Sequence, residues 1–151
     1  MNWIYKDKEI TSLNDFPTQT FGFVYQILHI PTNKKYIGKK VLYYNSKVKL
    51  GKKELKEYEG LIGRRPTYKI ATKESNWQNY YGSSKPLLEV MDNEPIENFK
   101  RDILILAPTK KLLTYYETQT LFVYRVLEEP EKYFKETLIP YKLFISYKHG
   151  E

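Results

Sequence analysis

The first part of the chain has the residue pattern of short β-strands joined by turns. Residues 3–5 and 9–11 place aromatic or β-branched side chains on either side of a Lys-Asp-Lys turn, which predicts a short N-terminal hairpin. Residues 21–30, FGFVYQILHI, are rich in β-branched and aromatic side chains, and residues 35–40, KYIGKK, follow a Pro-Thr-Asn-Lys turn signal. These two longer segments are therefore predicted to pair as a second hairpin.

The second half of the chain alternates helical and strand patterns. Residues 74–77 resemble a helix entry, and residues 85–91 place leucine and methionine at helical spacing. Residues 99–107, FKRDILILA, predict a strand whose apolar run is buried on both faces. Thr109 follows a proline and is the predicted N-cap of a helix that continues to about Leu127.

The stretch between these two parts has a different character. It is rich in lysine, interrupted by glycines and closed by Pro66, with one or two helical turns predicted at 54–58. We interpret it as a basic, partly mobile excursion from the core, the alternative being a solvated loop without a role. The chain is then one domain over residues 1–151, with an N-terminal hairpin extension at 1–20, a basic insertion at 41–73 and a C-terminal extension at 128–151.

Composition narrows the class of function. The net charge of +7 suits a polyanionic partner such as nucleic acid, although many basic proteins bind no polyanion. The chain has no cysteine and only His29 and His149, which argues against zinc, so any metal is expected to be a hard cation on carboxylate oxygen. With no apolar run long enough for a membrane span and no signal-peptide pattern, we expect a soluble, cytoplasmic protein.

One acidic residue interrupts the apolar face of the last predicted helix. The positions that share this face at helical spacing are Leu113, Tyr116, Glu117, Thr120, Leu121 and Tyr124. An ionised and unpaired carboxylate in that position costs several kcal/mol. Glu117 must therefore meet a lysine or arginine, bind a metal ion, or be protonated, and a structural salt bridge is the commonest of these outcomes.

The first long hairpin resembles the GIY-YIG nuclease family. Phe23-Val24-Tyr25 corresponds to the Gly-Ile-Tyr triplet and Tyr36-Ile37-Gly38 to the Tyr-Ile-Gly triplet, with the two tyrosines eleven positions apart. The first triplet departs at its glycine, because Gly22 lies one place early. The order KYIGKK, basic loop, ESNW, YYGSSK, ENFKRDIL and YYE is similar to the phage-encoded, homing-type branch, over residues 2–127.

This resemblance implies a fold and an activity. The implied fold is α+β, with a central, mainly antiparallel three-stranded sheet flanked by helices and preceded by the short N-terminal hairpin. The implied activity is Mg²⁺-dependent hydrolysis of phosphodiester bonds in double-stranded DNA, with Mn²⁺ able to substitute and no small-molecule cofactor. The protein would act as a monomer or transient homodimer, because one site cuts one strand per engagement.

The resemblance also assigns roles to residues. Glu117 becomes the metal ligand, and Tyr25 the general base or water-positioning group with Tyr36 beside it. We expect Glu117 to face these tyrosines across a cleft. Because a tyrosine has a pKa of about 10, it needs a nearby cation, for which Lys39 or the metal is the candidate.

The family's catalytic arginine has no obvious counterpart in register. Arg64 and Arg65 are the candidates, with Arg65 preferred, and Lys69 or Lys73 could substitute less well since they lack a bidentate fork. The alternative is that the two arginines only hold DNA phosphates. The asparagine that the family often has near the end of its core is missing too, since none follows Asn98.

The remaining predictions concern DNA contacts. Trp77 is predicted to stack on DNA or to pack in the core. The basic residues predicted to contact DNA are Lys39, Lys40, Lys47, Lys49, Lys52, Lys53, Arg64 and Lys85. The rival interpretation is a basic nucleic-acid-binding protein that does not cut, on a retired nuclease fold.

Overall fold

The computed structural model describes residues 1–60, 63–64 and 66–134. The strands in these ranges are β1 Trp3–Tyr5, β2 Lys8–Ile10, β3 Gly22–His29, β4 Lys34–Val41, β5 Tyr43–Lys49, β6 Tyr68–Glu74 and β7 Phe99–Ala107. The α-helices are α1 Lys52–Lys56, α2 Lys85–Asn93 and α3 Lys110–Val123. None of the helices in the described ranges is long and apolar enough to cross a membrane.

A five-stranded mixed sheet forms the centre of the protein, in the order β2-β1-β7-β3-β4. The α+β fold and the predicted antiparallel core of β4, β3 and β7 are confirmed. The sheet has five strands rather than three because the N-terminal hairpin joins it, with β1 running parallel to β7. Trp3 anchors this hairpin, since its buried indole donates a hydrogen bond to the Trp77 carbonyl at 2.7 Å.

The sheet separates two hydrophobic cores, because consecutive strand residues point to opposite faces. Tyr25 and Tyr36 lie in the first core with Trp77. Their neighbours Val24 and Ile37 lie in the second core, against α3. We call these two sides of the sheet the tyrosine face and the α3 face.

Strand β7 contributes to both cores, as its apolar run predicted. Its pairing with β3 shifts register between Val24 and Tyr25. Val24 pairs with Ile105 and Tyr25 with Ile103, so Leu104 is the extra residue of a β-bulge. The bulge turns Leu104 and Ile105 towards the α3 face, whereas Ile103 packs in the first core.

The basic insertion is more regular than predicted. Residues 43–49 and 68–74 pair as antiparallel strands β5 and β6 in a separate two-stranded sheet, which we call the ribbon. The sequence analysis predicted a basic excursion from the core and no strand in it, and these residues form two strands outside the main sheet. Lysines and small polar residues fill the positions that would be apolar in a core strand, so the sequence carries little of the usual strand signal. The short helix α1 is confirmed, two residues before its predicted position.

The helices largely follow their sequence signals. Ser84 caps α2, and Thr109 caps α3 by accepting a hydrogen bond from the Leu112 amide at 3.2 Å. Helix α3 ends at Val123 rather than near Leu127, because the chain turns into the left-handed region just beyond, at Arg125. The predicted helix entry near Trp77 is a single 3-10 turn.

Candidate active site

Helix α3 carries Glu117 onto the sheet, at the edge strand β4. The predicted face of this helix is the buried one, and it includes Leu113 and Leu121 on either side of Glu117. Glu117 is itself only 5% exposed. The structure therefore confirms that this acid lies among apolar neighbours.

The carboxylate of Glu117 is incompletely paired. Its Oε1 lies 3.9 Å from the Lys39 ammonium, which donates its hydrogen bond to Thr114 Oγ1 at 3.0 Å instead. Its Oε2 is buried and has no hydrogen-bond partner among the described residues. Burial raises the pKa of Glu117, and the ammonium and backbone of Lys39 act in the opposite direction.

This arrangement fits a hard divalent cation in its chemistry. No cluster of three or more histidine or acidic side chains that could hold a metal occurs in the described part of the chain. Mg²⁺ needs few protein ligands, because it usually keeps several waters and takes one or two carboxylates together with substrate phosphate oxygens. The unpaired Oε2 of Glu117 is an oxygen of that kind.

The two tyrosines of the GIY-YIG-like triplets lie together on the tyrosine face. Tyr25 and Tyr36 are each 1% exposed, with ring centroids 6.1 Å apart. The Tyr36 hydroxyl hydrogen-bonds to Ser83 Oγ at 3.0 Å. This contact ties the tyrosines to the YYGSS segment that precedes α2.

Two glycines, Gly38 and Gly82, lie against this pair of tyrosines, at positions where a side chain would have no room. A Cβ on Gly38 would lie 2.5 Å from the Tyr25 hydroxyl and 3.0 Å from Tyr36 Cε1. A Cβ on Gly82 would lie 2.9 Å from the same Tyr36 atom, and Gly82 also has a positive φ of 91°. The glycine of the second triplet is thus required by the position of the Tyr25 hydroxyl.

Strand β4 connects the two groups of residues. The Tyr25 hydroxyl lies against Gly38, and Glu117 approaches Lys39, the next residue. Because these consecutive residues point to opposite faces, the tyrosines and the acid approach β4 from different sides of the sheet. The expected arrangement, in which they face each other across a cleft, is therefore corrected: they meet at one strand.

A cation does lie on the tyrosine face, but it is Lys40. Its ammonium donates to Asn76 Oδ1 at 2.8 Å and lies 4.0 Å from the centre of the Tyr80 ring, which in turn packs edge-on against Tyr25. Burial lowers the pKa of Lys40. Sequence reasoning assigned this neighbour role to Lys39 and treated Lys40 only as a DNA contact. The two-residue spacing of Tyr36, Gly38 and Lys40 on one strand was the signal that could have indicated it.

Arg64, the candidate arginine among the described residues, does not lie beside Glu117. Arg64 is exposed and lies between α1 and β6, at the end of the ribbon remote from β4. Arg65 lies outside the described residues. Lys69, a possible substitute, is paired with Glu54, and Lys73 lies on the ribbon.

Arg101 is a buried arginine that the sequence analysis did not single out. Its guanidinium donates to the carbonyls of Gln78 at 3.0 Å and Tyr80 at 2.9 Å, and it stacks on the rings of Trp3 and Tyr81. It therefore fastens the segment that covers the tyrosines to the sheet.

The predicted DNA contacts fall into three groups by their exposure. Trp77 is 0% exposed and donates its indole N–H to Glu74 at 2.8 Å, so of its two predicted roles core packing is confirmed and the DNA contact was wrong. The predicted basic residues whose side chains are exposed are Lys47, Lys49, Lys52, Lys53, Arg64 and Lys85. Lys39 and Lys40 are half-buried at β4.

Comparison with known proteins identifies the class that this fold and these residues define. Residues 3–138 match the family model SegE_GIY-YIG, described as "Putative endonuclease segE, GIY-YIG domain". The match spans most of the chain, and the protein belongs to this GIY-YIG endonuclease family. The comparisons found no match among curated proteins or among solved structures.

Proposed function

We propose that this protein is a Mg²⁺-dependent endonuclease that hydrolyses phosphodiester bonds of double-stranded DNA. Membership of a GIY-YIG endonuclease family supports the class of reaction and the DNA substrate. The observation that carries the proposal for this chain is the buried Oε2 of Glu117, which lacks a hydrogen-bond partner among the described residues. A purely structural acid on an apolar helix face would be expected to have both oxygens paired.

Glu117 is the residue that would hold the cation. When bound, Mg²⁺ supplies positive charge to the scissile phosphate and lowers the pKa of a coordinated water, and Mn²⁺ is expected to substitute. Lys39 lies beside the same carboxylate, with its ammonium held by Thr114. We assign Lys39 to neutralising negative charge on the phosphate, in the role expected of the family's arginine.

We assign the tyrosine face a positioning role. The Tyr25 hydroxyl lies against Gly38. The next residue of the strand is Lys39, which approaches Glu117 on the other face. Lys40 lies on this face, with its ammonium 4.0 Å from the centre of the Tyr80 ring, and adds positive charge beside the tyrosines. Tyr36 is anchored to Ser83 and holds the covering segment in place.

The biological setting is proposed from the order of the motifs. The arrangement of the triplets, the basic insertion and the YYE helix supports a phage homing-type nuclease, or one that attacks host DNA, active in the cytoplasm of the infected cell. A single Glu117 site serves one strand at a time. Double-strand cleavage therefore requires a transient homodimer or a reorientation of a monomer.

Cleavage of supercoiled plasmid tests the proposal. Wild type with Mg²⁺ is expected to nick or linearise the plasmid, and chelation by EDTA to stop it. Glu117→Gln keeps the shape of the side chain but removes its charge, and should slow cleavage by at least roughly 100-fold. Glu97→Gln, an exposed acid after α2, is the matched control and should cut as wild type does.

The same assay can contradict the proposal. Equal cleavage by Glu117→Gln and wild type would remove Glu117 from the site, provided that circular dichroism shows both to be folded. Cleavage that resists EDTA would exclude a divalent cation. DNA binding without cleavage by wild type, with Mg²⁺ or Mn²⁺ present, would favour the alternative of a non-catalytic nucleic-acid-binding protein on a retired nuclease fold.

A further inference from the structure

We propose that the ribbon, strands β5 and β6, enters the major groove of double-stranded DNA and reads the target sequence there. The inference rests on the proposed function for the identity of the partner. It goes beyond that function because it assigns recognition to a specific element. The reasons are the shape of the ribbon, its exposed face and its attachment to β4.

The shape of the ribbon matches the groove. It is a two-stranded antiparallel sheet, paired through seven residues on each strand, and it is separate from the main sheet. The major groove is about 12 Å wide and admits either an α-helix or a two-stranded ribbon. Short isolated hairpins are marginally stable in water, so an exposed ribbon of this kind gains stability from a partner.

One face of the ribbon is open and carries side chains suited to DNA. Four cross-strand pairs lie on it. The pair next to β4, Tyr43 with Glu74, is tied to the core, because Tyr43 packs on it and Glu74 accepts a hydrogen bond from Trp77. The three outer pairs have all six residues exposed: Asn45 with Thr72, Lys47 with Ile70, and Lys49 with Tyr68. We call these six residues the reading face. Ile70 is 71% exposed and Tyr68 57%, an unusual position for large apolar groups on a surface that meets only water.

The chemistry of the reading face is complementary to a duplex. Lys47 and Lys49 can contact phosphates, and none of the six residues is acidic. Asparagine pairs with adenine edges and apolar side chains contact the thymine methyl group, which suits Asn45 and Ile70. Thr72 donates a hydrogen bond to Asn45 Oδ1 at 3.1 Å, so the amide is held in position before DNA binds.

The opposite side of the ribbon is partly buried, so less of its surface is open to DNA. Ser46, Val48 and Ala71 are half-buried there, and Lys69 on the same side is paired with Glu54 of α1. Tyr44 and Lys73 on that side are exposed, so the two sides differ in that only the reading face is exposed at all six of its positions.

The base of the ribbon is fixed to the candidate active site. Leu42 joins β4 to β5 and is buried, its amide donating to the Phe21 carbonyl at 2.8 Å. Ser75, after β6, donates through its amide to Leu42 and through Oγ to the Val41 carbonyl. Seven residues at about 3.3 Å each give a ribbon of roughly 20 Å, or about six base pairs. The recognised bases are thus expected within about that distance of the bond that is cut.

DNA binding can be measured without cleavage in the Glu117→Gln protein. The probe is a fluorescent duplex pool with a randomised centre, read by anisotropy across a salt series. Lys47→Ala with Lys49→Ala should weaken binding at least tenfold and reduce the slope of log K against log salt by about 2. Lys6→Ala with Lys8→Ala, on the N-terminal hairpin, removes the same charge and should have little effect.

Two further measurements identify the groove and the reading function. Methylation of guanine N7, in the major groove, should interfere with binding, and netropsin, a minor-groove ligand, should not compete. Sequences selected from the pool should change for Asn45→Ala and Ile70→Ala, and stay the same for Lys73→Ala on the other side of the ribbon.

The outcomes separate this proposal from the nuclease assignment. The reading role would be overturned if the Lys47/Lys49 and Lys6/Lys8 double variants lost equal DNA affinity, or if netropsin competed with binding. It would also be overturned if the Asn45 and Ile70 variants selected the same sequences as the parent protein. If the predicted binding losses occur but plasmid is never cut, the ribbon proposal stands and the nuclease proposal fails. If the binding losses are absent while cleavage depends on Glu117, the reverse holds.

Discussion

At the level of single residues, the burial of Glu117 disfavours the ionised form of its carboxylate. Leu113 and Leu121 place the carboxylate among apolar groups, and the Lys39 ammonium is 3.9 Å away and hydrogen-bonded to Thr114. An acid in this position lowers the stability of the metal-free protein, a cost that functional residues commonly carry. This cost can be measured.

The cost should appear as a pH dependence of stability. Because burial raises the pKa of Glu117, the folded state binds its proton more tightly than the unfolded chain does. The stabilising effect of the protonated form is complete below the ordinary glutamate pKa of about 4.3, and is lost as the pH rises through the raised value. In EDTA, Glu117→Gln should therefore raise Tm at pH 8, by about 2–4 °C for each kcal/mol added to the free energy of unfolding. Near pH 4 the substitution should change Tm little. A lower Tm for the variant at pH 8 would contradict this.

A second residue-scale prediction concerns Gly38. In Gly38→Ala the new methyl group would lie 2.5 Å from the Tyr25 hydroxyl and 2.7 Å from its Cζ, so the ring must move. We expect a loss of about 1–3 kcal/mol in the free energy of unfolding, measured by urea denaturation. Gly51→Ala is the control, because no atom lies within 4 Å of its added Cβ, and it should be nearly neutral. Similar losses in both variants would show that the tyrosine contact is unimportant.

At the level of elements, strand β4 organises the candidate site. Alternate residues of one strand serve opposite faces, so Gly38 and Lys40 belong with the tyrosines while Lys39 belongs with α3. A slip of one residue in the pairing of β3 with β4 would exchange these partners. The register Tyr25 with Gly38 is therefore essential to the geometry described here.

The ribbon is the element expected to open most readily. Its amides are protected by a single partner strand, and its reading face is wholly exposed, whereas β3 is paired on both sides and packed on both faces. Hydrogen exchange followed by mass spectrometry should show β5 and β6 exchanging at least tenfold faster than β3 in the free protein. Equal protection of the ribbon and β3 would mean that the ribbon is part of the main cooperative unit.

At the level of the whole molecule, one sheet with two cores supports a basic surface. The net charge of +7 is distributed so that the ribbon and α1 carry several exposed lysines, while the lysines of β4 are half-buried beside the candidate catalytic residues. Positive charge is thus placed both at the site and along the element that leads away from it. This distribution is consistent with a long polyanion crossing the protein from β4 towards the ribbon.

The sequence by itself determined the elements whose signals are local. The hairpin of β3 and β4 follows from β-rich segments around a turn, and α3 follows from the Thr109 cap and the spacing of its apolar residues. The burial of Glu117 follows from that same spacing. Each of these depends on residues close together in the chain, which is why pattern and capping were sufficient.

Only the tertiary structure decided how these elements meet. The addition of β1 beside β7, the burial of Arg101 and Trp77, and the exposed reading face of the ribbon all depend on contacts between distant segments. So does the separation of Tyr25 and Glu117 onto different faces of the sheet. A residue's type and spacing show that it will be buried, but which neighbours it meets is set by strand register and order, and these arise from the packing of the whole chain.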